Sequence, residues 1–267
     1  INYLWIAVEV ADDAVEGNFI DVSCLEISTV NENAEIRNPS PNGHREILLA
    51  RTTLLRPGDY NSTNYRIPAV ITARDGSVVA VTDKRKYNNG DLPEDIDIVC
   101  MRSTDGGHVW SEPYTIAQGT GYKQGYGDCA LSLTNDDNGI IAAFVGGPGF
   151  WGSTPTDPLR MYISRSNDNG QSWSEPEDIT HQIYGAECDD PERQDWLGGF
   201  FGSGNGLLTS SGRIMFVVAM RESDNREAVC NHAVYSDDNG LTWQVSGRAS
   251  VGGDEAKVTE LVDGRIL

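Results

Sequence analysis

Five ionisable residues of this sequence sit where turn or loop text meets strand-like text, the setting in which side chains are free to meet a ligand. Arg66, in Tyr65-Arg66-Ile67-Pro68, offers a planar guanidinium that stays charged and presents parallel donors to a carboxylate. Read alone, it serves equally as a surface ion-pair residue. Asp91 lies 25 residues further on, in the polar stretch Tyr87-Asn88-Asn89-Gly90-Asp91-Leu92-Pro93. A carboxyl there can exchange a proton with a ligand, or simply close a turn. Its rivals are Glu94, Asp95 and Asp97, the last two merging into the strand text around Ile96 and Ile98. Arg85, in Asp83-Lys84-Arg85-Lys86, is a ligand-facing cation or the basic end of a strand. Asp128, in Gly125-Tyr126-Gly127-Asp128-Cys129-Ala130, is a ligand contact or a strand-edge cap. Glu255, in Asp254-Glu255-Ala256-Lys257, has Glu260 as its local competitor. No metal or organic cofactor is implied: five cysteines show no paired Cys-x-x-Cys spacing, and Cys100 and Cys129 lie in apolar strand text as buried free thiols do.

The elements that must position these residues are set by an internal repeat. Ser103–Trp110, Ser166–Trp173 and Ser236–Trp243 all read S-x-D-x-G-x-x-W, with starts 63 and 70 residues apart. Glycine supplies a positive φ, Asp and Ser hold the loop's own amides, and Trp packs its ring on a sheet, so the octet is a tight structural turn. A second mark precedes each octet: Asp75-Gly76, Asn138-Gly139 and Ser211-Gly212 stand 30, 30 and 27 residues before Asp105, Asp168 and Asp238, each between short apolar runs. That is the hairpin signature. Each unit therefore reads as two strands around a Gly turn, a variable connection, a third strand, the octet and a short fourth strand, which fits one blade of a β-propeller. Asp263-Gly264 opens a fourth unit.

Residues 1–45 differ. Tyr3–Val10 and Phe19–Val22 are strand-like, and Asn38–Gly43 has linker composition. This stretch is either the end of a preceding β-domain or strands that close a blade. With no initiating Met, and an end just after a turn signal, the expectation is a chain cut from a longer one. The 40 acidic and 20 basic residues leave a charge of −20, which argues against nucleic acid or an anionic membrane surface as partner. No apolar run approaches the roughly 20 residues of a membrane-spanning helix.

Arg66-Ile67-Pro68 opening the first of several such repeats resembles the sialidase (neuraminidase) family, in the pattern of bacterial exo-sialidases, over about Glu46 to Leu267. The resemblance implies an all-β, six-bladed propeller of which residues 46–267 hold about half, three blades plus the start of a fourth. It implies retaining hydrolysis of terminal sialic acids on glycoproteins, glycolipids or oligosaccharides. Arg66 would be one of three arginines clamping the sialic-acid carboxylate, Asp91 the acid/base, Arg85 and Asp128 contacts near the sugar's 4-hydroxyl or N-acetyl group, and Glu255 the partner of a nucleophilic tyrosine. A neutral phenol avoids the repulsion that a carboxylate nucleophile would meet at a carbon already bearing a carboxylate. The tyrosine and two further arginines are expected beyond Leu267, so this chain alone is expected to be inactive. Phe150-Trp151 and Trp196–Phe201 are candidates for an N-acyl pocket or for packing between blades. By analogy alone the location is secreted, periplasmic or cell-surface. A non-catalytic propeller that binds glycans or proteins, and a trans-sialidase on the same scaffold, remain open alternatives.

Overall fold

The computed structural model describes residues 10–11, 14–15, 17–26, 43–47, 52–225 and 228–267. The strand expected over residues 3–10, apart from Val10, and the linker at 38–43, apart from Gly43, lie outside the described residues. The chain divides into two compact units, Ile1–Thr53 and Leu54–Leu267. In the first, β1 (Phe19–Ile20) pairs antiparallel with β2 (Arg45–Glu46), and Phe19 meets His44 edge-on at 4.3 Å between ring centroids.

The second unit is built of three successive sheets, one per octet. The first is β3 (Asn64–Thr72), β4 (Val78–Arg85), β5 (Ile96–Ser103) and β6 (Tyr114–Ala117) in sequential order. In the second, β7 (Tyr126–Leu133), β8 (Ile140–Gly146), β9 (Arg160–Ser166) and β10 (Glu177–Asp178) repeat that order. The third holds β11 (Gly198–Phe201), β13 (Leu207–Leu208), β14 (Ile214–Arg221), β15 (Cys230–Ser236), β16 (Gln244–Val245) and β17 (Ser250–Val251), while β12 (Gly204–Asn205) runs parallel to β7. One short helix, α1 (Thr180–Ile183), follows β10. At the end of the chain a hairpin folds round Asp263-Gly264, where Leu261 N donates to Arg265 O and Glu260 bridges Ile266.

Why the sheets stack is legible in β8. Its seven residues are all buried, because alternate side chains enter two different cores. Ile140, Ala142 and Phe144 pack with Val79, Val81, Ile98 and Cys100 of the first sheet. Ile141, Ala143 and Val145 pack with Phe201, Phe216, Val218 and Val234 of the third. The octets lock the same stack. In each, the Ser hydroxyl donates to the Asp carboxylate at 2.7–2.8 Å and accepts the Gly amide at 2.8–2.9 Å. The Asp also accepts amides three or four residues on, such as Val109 N at 2.9 Å. Gly170 and Gly240 take φ of 80° and 88°, and a Cβ there would stand 2.7 Å from Val79 Cγ2 and 2.4 Å from Ile141 Cδ1 of the preceding sheet. The octet turn is thus also the docking contact between neighbouring sheets.

Each octet begins at the hairpin-turn end of its sheet: Ser103 faces Val78, Ser166 faces Ile140 and Ser236 faces Ile214. The opposite strand ends are where the inner strands break. In β3, Arg66 faces Asp83 and Ala69 faces Val81, so two residues oppose one. In β7, Gly127 faces Val145 and Ala130 faces Ala143, the same bulge. Ile67 and Asp128 occupy these bulges at φ of 55° and 57°. A β-branched residue at positive φ is strained, and bulges of this kind re-aim side chains beside binding sites.

Candidate active site

The bulges of β3 and β7 open onto one cavity of about 670 Å³, lined by Arg66, Ile67, Asp91, Asp128 and Glu255 among others. Four of the five residues singled out from the sequence therefore meet at one place, and the fifth, Arg85, stands directly behind it. Arg66 ends the regular part of β3 with its guanidinium 44% exposed and 3.4 Å from Asp91. Asp91 projects from the loop after β4, 72% exposed. Arg85, on β4 and only 1% exposed, holds Asp91 at 2.7 Å and also donates to the carbonyl of Asn89 at 2.9 Å. A buried arginine thus fixes the loop that carries the exposed carboxylate.

The rival carboxylates are engaged elsewhere. Asp95 and Asp97 both pair with Lys86, at 2.7 and 2.8 Å, and Asp97 also accepts the amide of Gly119. Glu94 accepts from Asn88. Glu260 accepts the amide and hydroxyl of Ser210, capping the turn of the third sheet, whereas Glu255 reaches the cavity. The aromatic candidates separate too. Phe150, Trp151 and Phe200 line the cavity, with Phe150 edge-on to Phe200 at 4.9 Å. Phe201 is fully buried between sheets, and Trp196 packs on His232.

The electrostatics at the cavity raise one of its lining carboxyls, that of Asp128. Burial, then the negative charges of Asp91 and Glu255, push Asp128 up to about 7 against the pull of Arg85 and Arg66. Some of its surface remains exposed at the cavity, so part of that burial is relieved by solvent. Asp83, behind it, is also raised, by burial first and by the charge of Asp128 second, with Arg85 opposing. A carboxyl titrating near neutrality can donate a hydrogen bond to a sugar hydroxyl or accept one.

Two residues that brace the cavity had no signal from motif spacing. Asp83 is 1% exposed and spans two sheets: one oxygen takes Arg85 at 3.0 Å, the other accepts the amide of Asp128 at 3.2 Å. The available signal was its place in β4, where Val79, Val81, Asp83 and Arg85 share the buried face, so an opposite-charge pair sits where alternation demands apolar residues. Arg221, on β14, donates to the carbonyl of Phe150 at 2.6 Å and lies over the rings of Phe150 and Trp151, 5.7 and 5.2 Å from their centroids. It braces the aromatic wall by cation–π contact. Among the described residues no group of three or more His, Cys, Asp or Glu is arranged to hold a metal ion.

This arrangement has parallels. Residues 67–267 match the BNR repeat-like domain. The chain is 28% identical to a sialidase of Bacteroides fragilis over its whole length and 50% of that protein's. It is 34% identical to a sialidase of Micromonospora viridifaciens over 86% of this chain and 36% of that one. Among solved structures, the Hadza microbial sialidase Hz136 superposes with a TM-score of 0.65 at 30% identity, covering 76% of this chain and 41% of the other. A leech intramolecular trans-sialidase shares the fold at a TM-score of 0.66 and 16% identity. The chain spans half or less of the length of these curated relatives. On the repeat, the three sheets and these matches, the chain belongs to the BNR repeat-like domain family and, within it, to the sialidases of bacterial exo-sialidase type.

Proposed function

We propose that this chain carries part of the active site of an exo-sialidase, a retaining glycoside hydrolase that removes terminal sialic acids from glycoconjugates outside the cytoplasm. The observation that carries this reading is the convergence of Arg66, Asp91, Asp128 and Glu255 on one cavity with an aromatic wall. Arg66 holds the substrate carboxylate. Asp91, exposed and steered by Arg66 and Arg85, protonates the leaving oxygen and then activates water. Asp128 reads the hydroxyl side of the sugar, with Arg85 holding Asp91 from behind the cavity wall, and Phe150, Trp151 and Phe200 receive its acyl group. Glu255 removes the proton of a tyrosine nucleophile supplied, with two more arginines, by further blades of a six-bladed ring. The three sheets would be blades one to three, and the hairpin at residues 259–267 the start of a fourth. No cofactor takes part.

The test is made on the protein at its full natural length with a fluorogenic α-sialoside, following the anomer first released by NMR. Release of the α-anomer supports the reading, with activity lost by about 10²–10⁴-fold in Asp91→Ala. Binding of sialosides without cleavage would instead mark a glycan-binding propeller.

A further inference from the structure

The first two sheets each present a residue to the cavity from a bulge at the same register, five residues before the last paired residue of the inner strand. Ile67 stands five before Thr72, which faces Val78, and Asp128 five before Leu133, which faces Ile140. In the third sheet Leu208 faces Ile214, and five residues before it is Ser203. The inner strand is broken there as well. Phe201 faces Val218 and Leu207 faces Met215, so residues 202–206 oppose only 216 and 217. The third break is larger than the others and has Gly204 at its centre, at φ 103°.

We propose that Ser203 is the third sheet's contribution to the site, a positioning residue that orients the Glu255 carboxylate. Its buried hydroxyl donates to Glu255 Oε2 at 2.7 Å. Glu255 is otherwise exposed, and among the described residues Ser203 is the one hydrogen-bond partner of its carboxylate. The backbone beneath Glu255 is anchored independently. Buried Asn231 donates its side-chain amide to Asp254 O at 2.7 Å, and Val229 O accepts the amides of Gly252 and Gly253 at 2.8 and 3.1 Å. The carbonyl of Ala256 lies so close to Gly202 that a Cβ there would stand 2.5 Å from it. The main chain of Glu255 is therefore held by β15 and its loop, and the carboxylate by Ser203. A glutamate has three rotatable side-chain bonds, and a fixed main chain alone leaves its head free to sample several rotamers. The hydrogen bond from Ser203 selects one of them.

This inference rests on Glu255 acting as the tyrosine's base. Such a base works in the chemical step, so misplacing it lowers kcat and leaves ground-state binding intact. In the full-length protein, Ser203→Ala should lower kcat about tenfold or more. KM and the affinity for a dehydrated sialic-acid analogue should stay within about twofold. Ser203→Thr, which keeps the hydroxyl, should recover most of the rate, and both variants should melt close to the wild type. A Ser203→Ala enzyme with unchanged kcat, or equal losses in the Ala and Thr variants, would overturn the proposal. Crystal structures of the wild type and Ser203→Ala separate this idea from the catalytic reading. If the wild type cleaves no sialoside, the catalytic reading fails, while a Glu255 carboxylate displaced only in Ser203→Ala still upholds the positioning role. A carboxylate unmoved in the variant overturns that role whatever the activity.

Discussion

Asp83 is the residue on which the candidate site turns. Counted by strand register it occupies the place of Val145 in the second sheet: Asp83 faces Arg66 at the first bulge, and Val145 faces Gly127 at the second. Val145 is core. Putting a carboxylate at that position costs desolvation, which two donors offset: the guanidinium of Arg85 and the strained amide of Asp128. Asp83→Ala would strip buried Arg85 of its buried partner and leave the Asp128 amide unsatisfied. The expected loss is about 3 kcal/mol in urea denaturation, and a loss below about 1 kcal/mol would show that the tie is dispensable. Asp128 makes a second prediction. Its native carboxyl is raised to about 7, above the usual carboxylate range, so the native state holds its proton more tightly than the unfolded chain does. The stability this group contributes is then fully present below about pH 4 and lost as pH rises through about 7. Asp128→Asn should flatten that part of the profile, read as urea midpoints at pH 5 and pH 8. Arg66, Asp91, Asp128 and Glu255 could be singled out in the sequence through the family resemblance of the short stretches around them, and the structure places them on one cavity. Asp83 and Arg221 act across sheets, through partners 45 and 71 residues away, and no local pattern encodes that.

At the scale of elements, the octet combines two duties that glycine substitutions can separate. Gly106, the fourth residue of the first octet, and Gly170, the fifth of the second, both take a positive φ, 75° and 80°. A Cβ on Gly106 would meet nothing within 4 Å, whereas one on Gly170 would press on Val79 of the neighbouring sheet. Gly106→Ala should therefore cost only the left-handed backbone penalty, about 1–2 kcal/mol. Gly170→Ala should add the overpacking of a docked interface, roughly 1–3 kcal/mol more. Equal losses in chemical denaturation of the two variants would refute the docking role. The turns and octets could be read from the sequence because Gly, Asp and Asn at fixed offsets satisfy a local backbone requirement. The bulges of β3 and β7 could not. Arg66-Ile67-Pro68 and Gly127-Asp128-Cys129 share no residue type, and the extra residue is visible only against the strand opposite.

For the molecule as a whole, the stacking of sheets is carried by alternation within central strands, which the sequence displays as unbroken apolar runs such as Ile140–Val145 without saying which neighbour each side meets. One face of the first sheet carries an apolar groove of about 280 Å³, lined by Leu54, Pro68, Val70, Ala80 and Met101 among other described residues. The charge balance of the cavity bears on activity in the same way. Four carboxylates line it, Asp91, Asp128, Asp254 and Glu255, against the single lining guanidinium of Arg66, in a chain of net charge −20. Such a field opposes an anionic sugar, even with Asp128 partly protonated at neutral pH. On the proposed function, further guanidiniums would have to enter the cavity to hold a sialic-acid carboxylate well, since one monodentate or bidentate clamp contributes only about 1.5–3 kcal/mol. The isolated 267-residue chain is therefore expected to leave a fluorogenic sialoside uncleaved under conditions in which the full-length protein turns it over. Robust turnover by the isolated chain, abolished by Asp91→Ala, would mean that the cavity as it stands is a complete site and that its excess of carboxylates does not limit it.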